Sequence, residues 1–183
     1  AACRQCDYCL GGDDELCVRP GMLGSTRSGG YAEFVSVPGT TAVVLPDGLS
    51  YEEAASIPTV FLPSWTILVR RAQLQPWETV LVVSASSGVG SAAVQVAKNV
   101  IGARVIATTS SEEKARMTRD LGADEVIDYT QEDLKTRARE LSDGGVDVVF
   151  DPVGGPHAEP ALRALRWGGR FLVVGFAAGE IPR

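Results

Sequence analysis

From Thr79 onward the chain alternates short, mostly apolar runs with longer amphipathic stretches. The runs at Val80–Val83, Arg104–Ala107, Glu125–Ile127, Val146–Phe150 and Arg170–Val174 are of strand length and rich in Val and Ile. The segments between them, at roughly 88–100, 111–121, 131–141 and 156–166, read as helices, with Val89, Ala92, Ala93, Val96 and Ala97 at helical spacing in the first. Apolar strands alternating with helices predict a parallel sheet covered on both faces. Right-handed crossovers then give a doubly wound α/β domain with its ligand site at the carboxyl ends of the strands.

Before Thr79 the pattern is different. Gly29–Pro38 (GGYAEFVSVP) reads as a strand between turn formers, and Ala42–Leu45 as a second one stopped by Pro46-Asp47-Gly48. Ser50-Tyr51-Glu52-Glu53 is a capping box, and the short helix it opens should stop near Pro58. A second helix is expected over 60–72, with Pro63 tolerated only in its first turn. The boundary between the two parts falls near residues 46–50, which divides the chain into 1–47 and 48–183.

The 183 residues carry a net charge of -6, which argues against a nucleic-acid surface, because phosphate neutralisation needs clustered Lys and Arg. No apolar run approaches the ~20 residues needed to span a bilayer. The chain opens without the basic start and apolar core of a secretory leader. A cytoplasmic protein is expected, with neither nucleic acid nor membrane as partner.

All four cysteines lie in one loop, Cys3, Cys6, Cys9 and Cys17, spaced C-x2-C-x2-C-x7-C. Four thiolates this close can converge on Zn²⁺ at ~2.3 Å in the closed tetrahedral shell of a structural site, which leaves no open position for catalysis. An iron–sulfur cluster and a metal-free loop are the competing readings. The common cluster runs, however, use a shorter last gap followed by Pro. Disulfides across such short gaps are geometrically awkward.

Strand Val80–Val83 runs into Ser84-Ala85-Ser86-Ser87-Gly88-Val89-Gly90 and then a helix. Glycines there let the backbone approach a diphosphate, and the helix amino end offers free amides. Set in a repeated strand–helix series, the loop points to a dinucleotide rather than to a bare turn. About 20 residues further on, enzymes that select NAD carry an acid at the second strand's tip. This chain shows Thr108-Thr109-Ser110-Ser111 instead, followed by Lys114. Thr109, Ser110 and Lys114 suit the 2′-phosphate of NADP(H), although Ser110 or Ser111 also suits a plain helix cap.

These residues, in this order, resemble the medium-chain dehydrogenase/reductase superfamily, which includes zinc alcohol dehydrogenases and quinone oxidoreductases. The likeness covers nearly the whole chain through the cysteine loop, GGYAEFVSVP, LPDGLSYEEAASIP, VLVVSASSGVGSAAVQVAK, GARVIATTSSEEK, LGADEVIDY, VDVVFDPVGG and WGGRFLVVGFAAGEIPR. The later half looks most like the NADPH:quinone oxidoreductase branch. The resemblance implies a Rossmann-type domain preceded by a structural-zinc loop and remnant strands of a GroES-like domain. It implies that Ser87, Gly88, Val89 and Gly90 line the diphosphate, and that Ser110, Lys114 and Tyr129 meet the adenosine phosphate. Val153, Gly154, Gly175 and Phe176 would border the nicotinamide half.

The sequence departs from that family at three places. Ser84 and Ser87 replace the Ala and first Gly of the usual A-x-x-G-x-x-G loop. Pro63-Ser64-Trp65 replaces a T-A-aromatic motif, and Thr59 stands where zinc alcohol dehydrogenases place a catalytic Cys. The resemblance therefore implies a piece of a longer, zinc-free-type enzyme, homodimeric or homotetrameric at full length, with its last sheet strand beyond Arg183. It would pass hydride from NADPH to a quinone, enone or aldehyde. The alternatives are a non-catalytic nucleotide-binding remnant and a zinc alcohol dehydrogenase with its catalytic ligands upstream. No catalytic acid or base is assigned. His157, the one histidine, is expected to face solvent in a first helical turn, and Asp151 to be a hydrogen-bonded structural residue.

Overall fold

The computed structural model describes residues 2–181. The chain divides into two compact units at the Leu49–Ser50 junction. In the first, a short helix α1 (Asp7–Leu10) and a 3₁₀ turn (Asp14–Leu16) carry the cysteine loop. The second contains five strands and the remaining α-helices.

Strands β1 (Thr79–Val82), β2 (Arg104–Thr109), β3 (Glu125–Asp128), β4 (Val146–Asp151) and β5 (Leu165–Val173) form one parallel sheet in the order β3-β2-β1-β4-β5. Period-two alternation sends neighbouring residues to opposite faces. Val80 and Val82 join Val105, Ala107, Val148 and Phe150 in one buried cluster beneath Ala93, Val94 and Ala97. Leu81 and Val83 join Ile106, Ile127 and Val149 in the other, beneath Leu134, Ala138, Ala161 and Ala164. Both faces are covered, as the apolar runs require. The sheet's order reverses between β1 and β4, which places the switch point at the end of β1.

Serine and aspartate caps start four of the helices. Ser50 and Glu53 close a reciprocal capping box on α2 (Tyr51–Trp65). Ser87 caps α3 (Gly88–Gln95), Ser111 caps α4 (Glu112–Asp120) and Asp133 caps α5 (Leu134–Leu141). A 3₁₀ turn (Gly155–His157) leads into α6 (Ala158–Arg163).

Four expectations are corrected. The segments at Gly29–Pro38 and Ala42–Leu45 are not strands. A strand needs a ladder partner for its backbone groups, and none is present for them among the described residues, where Tyr31, Phe34, Val43 and Val44 lie exposed. The helix that should stop at Pro58 instead runs through Pro58 and Pro63 as α2, then continues as a π-helical stretch, Thr66–Arg71. Packing against α3 holds it, and the Ser64 hydroxyl donates both to the Val60 carbonyl (2.7 Å) and to that of Val89 (3.2 Å). The helix expected over 88–100 ends at Gln95 and likewise becomes π-helical over Val96–Ile101. The helix expected to reach 166 ends at Arg163, because the Ala164 carbonyl already accepts from Val146 N–H and Leu165 pairs with Val146.

Candidate functional site

At the carboxyl edge of the sheet, the turn after β1 is fixed by β2. Ser84 takes a left-handed φ of 53°, a conformation that costs a non-glycine residue energy and persists only when neighbours enforce it. Thr108 is the neighbour. Its hydroxyl accepts from Ser84 N–H at 3.0 Å, and its carbonyl accepts from the next amide, Ala85 N–H, at 3.0 Å. Ser87 then caps α3 by accepting from Gly90 N–H at 3.1 Å. The amides of Gly88 and Val89, in the first helical turn, are left without intrahelical acceptors.

The two glycines do different work. A Cβ on Gly90 would lie 2.3 Å from the Ser84 carbonyl oxygen and 2.9 Å from Ala85 Cα, so glycine is required by the turn's own backbone. A Cβ on Gly88 would meet Val60 Cγ1 at 3.1 Å, which lets α2 sit close.

At the tip of β2, Thr109 is 1% exposed and its hydroxyl has no hydrogen-bond partner among the described residues. A buried polar group without a partner is costly. Beside it Lys114 Nζ donates to Ser110 Oγ at 3.1 Å, and Tyr129 N–H donates to the Thr109 carbonyl at 3.2 Å. Thr109, Ser110, Lys114 and Tyr129 are therefore one cluster. The exposed pair of Ser110 hydroxyl and Lys114 ammonium, with no carboxylate in the Thr108–Ser111 run, fits the adenosine end of a dinucleotide.

Beyond β4 and β5 the second cluster forms. Asp151 Oδ1 accepts from Val153 N–H (2.8 Å) and Gly154 N–H (3.0 Å), a structural use of the carboxylate. Its carbonyl accepts from Val174 and Gly175, and that of Val153 accepts from Ala178, so the segments 153–154 and 175–176 are stitched together. An apolar cavity of about 490 Å³ opens beside them, lined by Gly154, Leu162, Phe171, Val173, Phe176 and Ile181 among others. The expectation for His157 is corrected. It is half-buried, with its ring packed on Tyr129 at 4.7 Å between centroids, because both follow strand ends at this edge. Thr108's clamp and the His157 contact were not legible as roles. A threonine pair at a strand tip was the one signal for the first, and a distant aromatic carries none for the second.

In the first unit the four cysteine sulfurs all lie within 4.8 Å of one another. Cys3 and Cys9 are 4.0 Å apart and Cys6 and Cys9 3.5 Å. A tetrahedral shell with ~2.3 Å zinc–sulfur bonds brings sulfurs to roughly 3.8 Å, so the donor set fits Zn²⁺. The Gln5 amide draws the Cys3 thiol down to about 6, and the amides of Cys9 and Val18 lower Cys6. Burial, reinforced by the Cys6 thiol, pushes Cys9 up to about 12. Amides aimed at sulfur orient ligands around a metal.

Among the described residues no helix is long and apolar enough to cross a membrane. Residues 88–182 match the zinc-binding dehydrogenase family, and residues 1–47 the alcohol dehydrogenase GroES-like domain. Quinone oxidoreductase-like protein 2 homolog of Nematostella vectensis is 39% identical over 158 residues, covering 86% of this chain and 43% of that protein. The crystal structure of an NAD-dependent alcohol dehydrogenase superposes with a TM-score of 0.89 at 44% identity, covering 93% of this chain and 50% of the other. The quinone oxidoreductase of Thermus thermophilus, solved also in complex with NADPH, gives 0.74 at 41% identity, covering 84% of this chain and 49% of the other. The chain spans about half the length of the curated relatives it matches. With a glycine turn at the switch point of a parallel sheet and the cysteine loop ahead of it, the chain belongs to the medium-chain dehydrogenase/reductase superfamily.

Proposed function

We propose that this chain is the cofactor-binding half of an oxidoreductase that passes hydride from NADPH to a quinone or another conjugated carbonyl acceptor. The observation that carries the reading is the exposed Ser110–Lys114 pair at the tip of β2, where Lys114 Nζ meets Ser110 Oγ at 3.1 Å and no carboxylate stands in the Thr108–Ser111 run. An acid at that tip would hold the ribose hydroxyls of NAD and repel a 2′-phosphate. Two hydroxyls and an ammonium favour the phosphate instead.

Bound there, the reduced dinucleotide supplies the hydride. The chain's own contribution is orientation. Gly88 and Val89 present amides to the diphosphate, Ser87 holds the mouth of α3 open by capping Gly90, and Thr109, Ser110, Lys114 and Tyr129 take the adenosine end. Val153, Gly154, Gly175 and Phe176 border the nicotinamide end. In the same reading 1–47 belongs to a GroES-like domain and 48–183 is the nucleotide-binding domain. Cys3, Cys6, Cys9 and Cys17 hold a structural zinc, in a reducing cytoplasmic setting that keeps the thiols free. The whole enzyme works on small molecules as a homodimer or homotetramer.

Nicotinamide fluorescence during titration with NADPH and NADH tests the cofactor assignment. Tighter binding of NADPH is expected, and Lys114→Ala should erase most of the difference, by roughly ten-fold, as for a charge-assisted contact. Equal affinity for the two cofactors in the unaltered chain would refute the NADPH reading. Following the absorbance of the reduced nicotinamide after adding a quinone to the whole enzyme tests the acceptor.

A further inference from the structure

β3 and β4 are three positions apart in the sheet, a separation of about 14 Å at the usual strand spacing. Yet the residue that follows β3, Tyr129, and a residue in the turn after β4, His157, bring their rings to 4.7 Å between centroids at 55°. Their loops therefore reach toward each other past the carboxyl ends of β2 and β1, where the glycine turn begins. Both partners are held independently. Tyr129 N–H donates to the Thr109 carbonyl. His157 is launched by Gly154 and Gly155, at φ 67° and 56°, and a Cβ on Gly155 would lie 2.6 Å from the Ala178 Cβ. The turn that delivers His157 has little freedom.

The two ends of this aromatic bridge coincide with the two clusters already described. Tyr129 touches the β2 tip with its orphaned Thr109 hydroxyl, and His157 lies three residues from Gly154. A tilted pair at this distance is worth more than the area it buries, and here the contact joins two loops that leave the sheet from well-separated strands.

We propose that His157 is a positioning residue for cofactor selection. Its ring fixes the Tyr129 ring at the carboxyl edge, which sets how tightly the adenosine phosphate is gripped and ties that grip to the loop bordering the nicotinamide. The proposal rests on the reading of the site as a dinucleotide site. It concerns the packing of His157 on Tyr129, so an uncharged aromatic should serve in its place.

The experiment measures NADPH and NADH dissociation constants and thermal melting for the full chain and for His157→Ala, His157→Phe, Tyr129→Ala and the double variant His157→Ala/Tyr129→Ala. His157→Ala should weaken NADPH roughly five-fold, with a much smaller change for NADH, and His157→Phe should restore the ratio. The double variant should lose no more than Tyr129→Ala alone, because the two rings act as a unit. A merely structural histidine would lower melting and weaken both cofactors alike. An unchanged NADPH-to-NADH ratio in His157→Ala, or additive losses in the double variant, overturns the proposal while leaving the dinucleotide site standing. Absence of binding by the unaltered chain to either cofactor overturns both.

Discussion

Among the described residues before Leu49, the buried side chains are Cys9 and Cys17 alone. After Ser50, two apolar clusters cover both faces of a five-stranded sheet, and Leu81, Val82, Ile106 and Phe150 are fully buried. The first unit is not short of apolar residues. Tyr31, Phe34, Val43 and Val44 are all present and all lie exposed. Its buried residues converge instead on the sulfur cluster, where the four cysteine sulfurs lie within 4.8 Å of one another. The second unit has the opposite character, since burial on two faces fixes its strands before any ligand arrives. The four cysteines are free of disulfides.

The most severe way to break this contrast is to remove the metal. Chelation, or Cys9→Ser, should strip one zinc per chain and abolish hydrogen-exchange protection over residues 3–17, because metal binding and folding of such a loop are one equilibrium. The melting of the sheet should hardly move. Metal analysis with peptide-resolved exchange reads both halves at once. A chelated protein whose cysteine loop keeps its protection would show that the first unit stands without metal.

How far each region could be read from the sequence follows the same division. All five strands after Thr79 were visible, β1 and β4 most plainly, because a strand buried on both faces writes itself as a mostly apolar, Val-rich run such as Val80–Val83 or Val146–Phe150. Caps were legible for a similar local reason, since Ser50 with Glu53 can satisfy two amides within four residues. Gly29–Pro38 failed because alternation announces a willing strand without supplying its partner. Pro58 misled in the other direction. A proline costs a helix a hydrogen bond, but α3 packs against α2 and Ser64 ties the two, so tertiary contact outweighed the local penalty. In the site, the glycine turn and the β2 tip were legible from residue types. The Thr108 clamp and the Tyr129–His157 contact were not, because both depend on strands distant in sequence lying side by side.

A smaller effect separates packing from ligand binding inside the second unit. Gly90→Ala places its Cβ against the Ser84 carbonyl and Ala85 Cα. Backbone atoms cannot swing aside, so a loss of about 1–3 kcal/mol is expected. Gly88→Ala meets only a flexible Val60 methyl at 3.1 Å and should cost less than about 1 kcal/mol. Denaturant midpoints of the two variants give the comparison directly. Equal losses would mean that the turn's backbone yields as easily as a side chain.

The smallest effect concerns acid. Glu78, at the start of β1, is buried, which alone would raise its pKa. The guanidinium of Arg170 at 2.5 Å and the Gln75 amide at 2.9 Å outweigh that and hold it below the ordinary value. A carboxylate depressed in the folded state stabilises the fold above its unfolded pKa, roughly 4.3, and loses that contribution as pH falls toward its folded value. Arg170 is partly exposed, 37% by side chain, so screening limits the pH-dependent share to about 1 kcal/mol. Stability of the sheet should therefore be flat near neutrality and decline below about pH 4.5. Glu78→Gln should be less stable at neutral pH and show a shallower acid decline. The exchange protection of residues 3–17 at neutral pH should be the same in both proteins, since on the proposed reading a metal and not this ion pair orders that loop. An acid decline as steep in Glu78→Gln as in the unaltered chain would assign the acid sensitivity elsewhere, with Asp124, held low by Lys98 and the Val105 amide against its own burial, the next carboxylate to replace.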